Sequence, residues 1–120
     1  MLELLPDLPD HVLGIKAIGD VEDDDYEDVL VPAIDDRLSR HEKIRLLYVL
    51  GEEFDGYEGD ALWEDAKLGM KTFTSYDRIA IVTDSKLISR SVKAFGWLMP
   101  GEVKVYPIAD VEGATGWITS

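Results

Sequence analysis

The sequence contains no cysteine, which excludes disulfide staples and thiolate metal sites. A cysteine-free chain fits a reducing compartment, so a cytoplasmic location is expected. Histidine is nearly missing as well. His11 and His41 are the only two, short of the three or four His or Cys ligands that a zinc centre takes. No apolar run approaches the ~18 residues of a membrane span, so no transmembrane segment is expected. The opening Met-Leu-Glu-Leu-Leu-Pro has neither the basic leader nor the long apolar stretch of a secretory signal. Positive charge is also in short supply: 12 Lys and Arg face 25 Asp and Glu, a net charge of −13.

The motifs of common enzyme classes are absent too. There is no Gly-x-Ser-x-Gly elbow to present a nucleophile. Neither a Gly-x-x-x-x-Gly-Lys loop nor a Gly-x-Gly-x-x-Gly turn follows any strand, so no phosphate cradle of those types exists. Either histidine could assist proton transfer, but neither has a nucleophile to serve, and both read as surface residues. Carboxylates are so numerous that no pair is singled out for acid–base work. No catalytic residue, metal or cofactor is expected.

The charge deficit is uneven. Residues 1–60 carry 18 acidic and 5 basic residues, a net of −13, and residues 61–120 carry 7 of each. The first half would repel phosphate backbones and anionic headgroups, which argues against nucleic-acid binding. As an acidic solvated surface it keeps the chain soluble.

Against these absences stand two apolar runs, Ile44–Leu50 and Ile79–Val82, neither alternating with period two. Such runs suit parallel strands covered on both faces by helices. A chain of 120 residues forms one domain and buries roughly 65% of its unfolded surface. Met1–Leu5 and His11–Ile18 read as an antiparallel hairpin at one side of the sheet, with Pro6-Asp7-Leu8-Pro9-Asp10 as its turn. Leu13, Ile15 and Ala17 share one face of the second strand, and Gly19-Asp20 ends it.

Asp20 is the expected cap of a helix that opens on Glu22–Asp25 and buries Tyr26, Val29, Leu30, Ala33, Ile34 and Leu38. Pro32 interrupts the amide ladder and predicts a kink. Gly51–Asp60 reads as a glycine-bent loop at the carboxyl end of a strand, where open α/β sheets bind ligands. A second helix is expected from Ala61 to about Phe73, and a third from about Ser85 to Leu98, capped by Asp84 or Ser85. Lys86, Arg90 and Lys93 share the outer face of the third helix, with Trp97 near its end. Such a face either covers the sheet as a solvated helix, lies on a membrane surface or docks an acidic partner. Glu102–Ile108 is the last strand. Asp110 then caps a short helix with Val111, Ala114 and Ile118 inward, which relies on docking because Gly113 and Gly116 weaken it.

The expected fold is therefore α/β: a single mixed sheet of about five strands, the central ones parallel, covered by about four helices in the order ββαβαβαβα. Several stretches carry a family likeness: Phe54-Asp-Gly56, Ala61-Leu-Trp63-Glu-Asp65-Ala-Lys67, Tyr76–Asp84, Pro100-Gly101-Glu102-Val103 and Gly116-Trp117-Ile118. In order and spacing the chain resembles the bacterial SpoIIAA-like proteins, which belong with STAS and SEC14-like domains. The likeness runs from about Gly14 to Ile118.

The resemblance implies a regulatory domain without catalytic activity. Anti-sigma-factor antagonists, its better-known relatives, switch partners through a phosphorylated serine after the second central strand. Gly51–Ala61 contains no serine or threonine, so that switch does not transfer. Two roles are expected. One is a protein-interaction module, a homodimer included, using Phe54, Gly56, Tyr57, Asp65, Lys67 and the start of the following helix. The other is a carrier of an apolar or lipid-like small molecule, lined by Trp63, Met70, Phe73, Phe95 and Trp97.

Overall fold

The computed structural model describes residues 1–51, 54–57, 76–86, 89, 90, 93 and 101–120, with residues 23, 26 and 54–57 described by their backbone. In chain order the strands are β1 (Leu2–Leu4), β2 (Val12–Ala17), β3 (Gly19–Val21), β4 (Ile44–Leu50), β5 (Phe54–Tyr57), β6 (Tyr76–Thr83) and β7 (Glu102–Tyr106). Helix α1 (Asp23–Asp25) runs through a π turn (Tyr26–Leu30) into α2 (Val31–Leu38), and α3 (Val111–Thr119) follows a 3₁₀ turn (Ile108–Asp110). Lys86, Ser89, Arg90 and Lys93 are also helical. The expected helix over 61–73 and most of that over 85–98 fall outside the described residues, so the expected count of four helices does too.

The main sheet has five strands in the order β1-β2-β4-β6-β7. β1 is antiparallel to β2, and the other pairs are parallel. The two apolar runs thus lie side by side in one direction. Alternation along them builds two cores. From β4, Ile44, Leu46, Tyr48 and Leu50 enter one, and Leu47 and Val49 the other. Leu13, Ile15 and Ala17 of β2 join the first core, where Leu30, Ala33 and Ile34 from the first helical stretch cover them. Ala114 and Ile118 of α3 close the second, together with Leu5 and Leu8. The first turn follows its chemistry: Asp7 takes a left-handed backbone, φ 64°.

A bulge in β6 decides which side chain meets which core. Ile44 pairs with Tyr76 and Arg45 with Arg78, so Asp77 is the extra residue. Tyr76 therefore faces the first core together with Ile79 and Ile81, while Ala80 and Val82 face the second. The bulge is clasped from two sides. Arg45 Nε donates to Asp77 Oδ2 at 3.1 Å, and Gly101 packs so close that an added Cβ would lie 2.6 Å from the carbonyl oxygens of Tyr76 and Asp77.

Several local expectations are corrected. Asp20 does not cap a helix; it lies in β3, and the chain continues from β2 into a second sheet. The helix begins after Glu22, whose N–H donates to the Asp25 carboxylate at 2.8 Å, half of a capping box. Pro32 brings no amide hydrogen, and the structure answers with the π turn just ahead of it, Pro32 itself standing in the first turn of α2. Gly51–Asp60 is not wholly a loop, since β5 occupies its middle. Strand β7 stops at Tyr106, and Ile108 enters the 3₁₀ turn. Asp110 holds the N-cap position of α3 without a side-chain cap bond, and Val111 is exposed rather than inward.

Helix α3 relies on docking, as its two glycines imply. Ile118 is wholly buried and Val111 is 38% exposed. Ile118→Ala should lower stability by about 2–4 kcal/mol, and Val111→Ala by less than about 1 kcal/mol, in urea unfolding. Gly101→Ala, which must displace the bulge carbonyls, should lower it by about 1–3 kcal/mol in the same assay.

Candidate functional site

Because β2, β4, β6 and β7 run in one direction, their carboxyl ends share one edge of the sheet, where open α/β sheets hold ligands. Two features are built there. The first starts at Gly19, whose positive φ of 61° turns the chain out of β2. β3 then pairs in parallel with β5, matching Gly19 to Phe54, Asp20 to Gly56 and Val21 to Tyr57, so Asp55 is a bulge. Val21 is fully buried in the first core and anchors this ribbon. Of the candidate contact residues, Phe54, Gly56 and Tyr57 are thereby placed on β5. Trp63, Asp65, Lys67, Phe73 and Trp97 lie outside the described residues.

The second feature is a cleft of about 360 Å³ between the end of β6, the helical residues after it and the segment following β7. Thr83, 6% exposed, ends β6 and accepts the Ser85 N–H on Oγ1 at 3.1 Å, a local turn bond. The Asp84 carboxylate accepts the Ile108 N–H at 2.9 Å, tying this turn to the chain after β7. Lys86, Arg90 and Lys93 line the cleft with Ser89. They recur at spacings of four and three on a helix, so one face carries all three, as the sequence implied. The sequence showed the stripe but not the concavity it faces, because Val105 comes from β7 and Pro107 from the segment after it.

At the opposite, amino ends of the strands the two histidines meet. Their ring centroids are 6.2 Å apart, and His41 Nε2 lies 2.7 Å from Asp10 Oδ2. Arg40 donates Nε and Nη2 to the Asp10 carboxylate, both at 2.8 Å, and Nη1 and Nη2 to Asp36 at 2.9 and 3.0 Å. Sequence reading missed this cluster because Asp10 and Arg40 are separated by 30 residues. Its geometry is that of a fork-shaped clasp between the turn before β2 and the end of α2. Among the described residues no group of three metal-ligating side chains is assembled, and no helix is long and apolar enough to cross a membrane.

A third set of cations holds α3. Arg78 Nη1 donates to the Trp117 carbonyl at 3.0 Å and Arg45 Nη1 to that of Ile118 at 3.1 Å. Guanidinium donors there satisfy the orphan carbonyls of the helix end and complement its dipole. The Trp117 ring lies between Arg78, 5.3 Å from its centroid, and Lys104, 4.8 Å away.

Comparison with known proteins agrees with this architecture. The family model described as SpoIIAA-like matches residues 12–119. An uncharacterized protein from Shewanella loihica with a SpoIIAA-like fold is similar in structure, with a TM-score of 0.77 and 28% sequence identity. The match covers 98% of this chain and 92% of that one. Among curated proteins none matches.

The clasp makes a pH-dependent contribution whose sign follows from its charges. Arg40 first, then His41, hold the Asp10 carboxyl well below its ordinary value of 3.8. A carboxylate depressed in the folded state stabilises it above that ordinary value, and the contribution fades as pH falls below it. Asp10→Asn should therefore melt at a lower temperature than the parent at neutral pH, by a small margin because the group is exposed. The gap should start to narrow as pH falls below about 4 and keep narrowing down to about pH 2. Thermal melts across that range check this; a constant gap down to pH 2 would contradict it.

Proposed function

We propose, because this chain belongs to the SpoIIAA-like family, that residues 1–120 form a single STAS-like domain that works by binding a protein partner or a second copy of itself. In this reading it is a regulatory module and not an enzyme. The observation that supports it is the β3–β5 ribbon at the carboxyl edge. Among the described residues this second sheet has only these two strands, and two strands alone are marginal in water. On β3 the Asp20 carbonyl already accepts from the Met1 ammonium, so the outer edge of β5, which has no further strand partner among the described residues, is the one of the kind that accepts an added strand. The absence of serine and threonine from Gly51–Ala61 supports a contact that is not governed by phosphorylation at that place. The contact surface in this proposal is Phe54, Gly56 and Tyr57, extended by Trp63, Asp65 and Lys67. The carrier reading draws on Trp63, Phe73 and Trp97, outside the described residues, and the described cleft is lined by charged and hydroxyl groups.

Replacing Phe54 and Tyr57 together by Ser should weaken self-association, or capture of a purified partner, by about tenfold or more. Sedimentation velocity over a concentration series and circular dichroism on the same samples make the test. Unchanged association with an unchanged fold would overturn the proposal.

A further inference from the structure

The cleft at the end of β6 is notable for its charge. In a chain with 25 acids and 12 bases, most cations would be expected to find a carboxylate. Arg37, Arg40 and Arg45 do. Lys86, Arg90 and Lys93, like Lys43, Arg78 and Lys104, form no ion pair with any described residue, and what sets the first three apart is that they converge on one concavity. The single carboxylate among its described lining residues, Asp84, is engaged by the Ile108 N–H through one of its oxygens. Among the described lining residues, three cations and one carboxylate leave a local charge of +2, inside a protein whose net charge is −13. Like charges gathered in this way repel one another unless an anion is shared between them.

We infer that this cleft binds a small phosphorylated molecule through its phosphate monoester. The charge matches: a phosphate monoester carries about −1.5 to −2 at neutral pH. The donor set matches as well. Arg90 offers a planar fork suited to two phosphate oxygens, and the two lysines offer mobile point charges. The Ser89 hydroxyl is a further donor on the same face. Size favours a small molecule over a surface. A volume of about 360 Å³ lies in the range of small-ligand sites, which are concave. A lipid bilayer or a nucleic acid presents an extended array of anions and would be repelled by the acidic remainder of the protein. A single small anion feels mainly the nearest cations, since charges farther off than about 10 Å are screened at 0.1 M salt. This site is separate from β5, and the inference stands or falls without the proposed protein contact.

Isothermal titration calorimetry of the full chain with glycerol 3-phosphate, at about 0.1 M NaCl, tests it. Saturable one-to-one binding is expected. Arg90→Ala and the double variant Lys86→Ala with Lys93→Ala should each weaken it on the order of tenfold, and Arg90→Lys should recover part of the loss. All three positions are exposed, so unfolding midpoints should not change, and circular dichroism verifies that. The Phe54→Ser, Tyr57→Ser variant should bind as the parent does, which separates this result from the protein-contact test. Vesicles of phosphatidylcholine with phosphatidic acid present the same monoester on a lipid and should not sediment the protein. No heat with glycerol 3-phosphate, heat indifferent to Arg90→Ala, or binding to the vesicles alone would each overturn the inference.

Discussion

The structure depends on the pairing of β4 with β6, two parallel strands that both bury both faces. Parallel strands cannot be joined by a tight hairpin, so each link must leave the sheet and return along a face. That requirement sends all the outgoing turns to one edge and all the returns to the other. It also calls for two covers, because an unbroken apolar run leaves no face for water. The first helical stretch supplies one cover and α3 the other, each over its own core.

The bulge at Asp77 adjusts this frame. One extra residue turns Arg78 into register with Arg45, and the pair reaches the last carbonyls of α3. Docking of α3 thus combines buried Ile118 with two guanidinium groups at its end. A helix of nine residues with two glycines has little stability by itself, and tertiary contacts at one face and one terminus compensate for it.

Charge is divided along the strand direction. At the amino edge two arginines are tied into the fold: Arg40 bridges Asp10 and Asp36, and Arg45 bridges Asp77 and the end of α3. These contacts clasp segments distant in sequence. At the carboxyl edge, among the described residues, β5 has no second strand partner and the cleft offers cations without carboxylate partners. The amino edge is thus closed by ion pairs, and the carboxyl edge is where the proposed contacts lie.

By itself, the amino-acid order settled the features that follow from short-range chemistry. The two apolar runs as doubly covered strands, the hairpin through Pro6–Pro9, the Leu30, Ala33 and Ile34 stripe, and the basic stripe of Lys86, Arg90 and Lys93 all follow from spacing a few residues long. The family likeness was legible in the same way, from motifs in order. Tertiary structure alone decided the rest. Asp20 became a strand because β5, 34 or more residues downstream by number, offered it a partner, and that pairing outweighs a capping preference of about 1 kcal/mol. Asp10 met Arg40 and His41, and the basic stripe met Val105 and Pro107, for the same reason. Which distant groups share a site depends on how strands cross over and align, and no local preference encodes that.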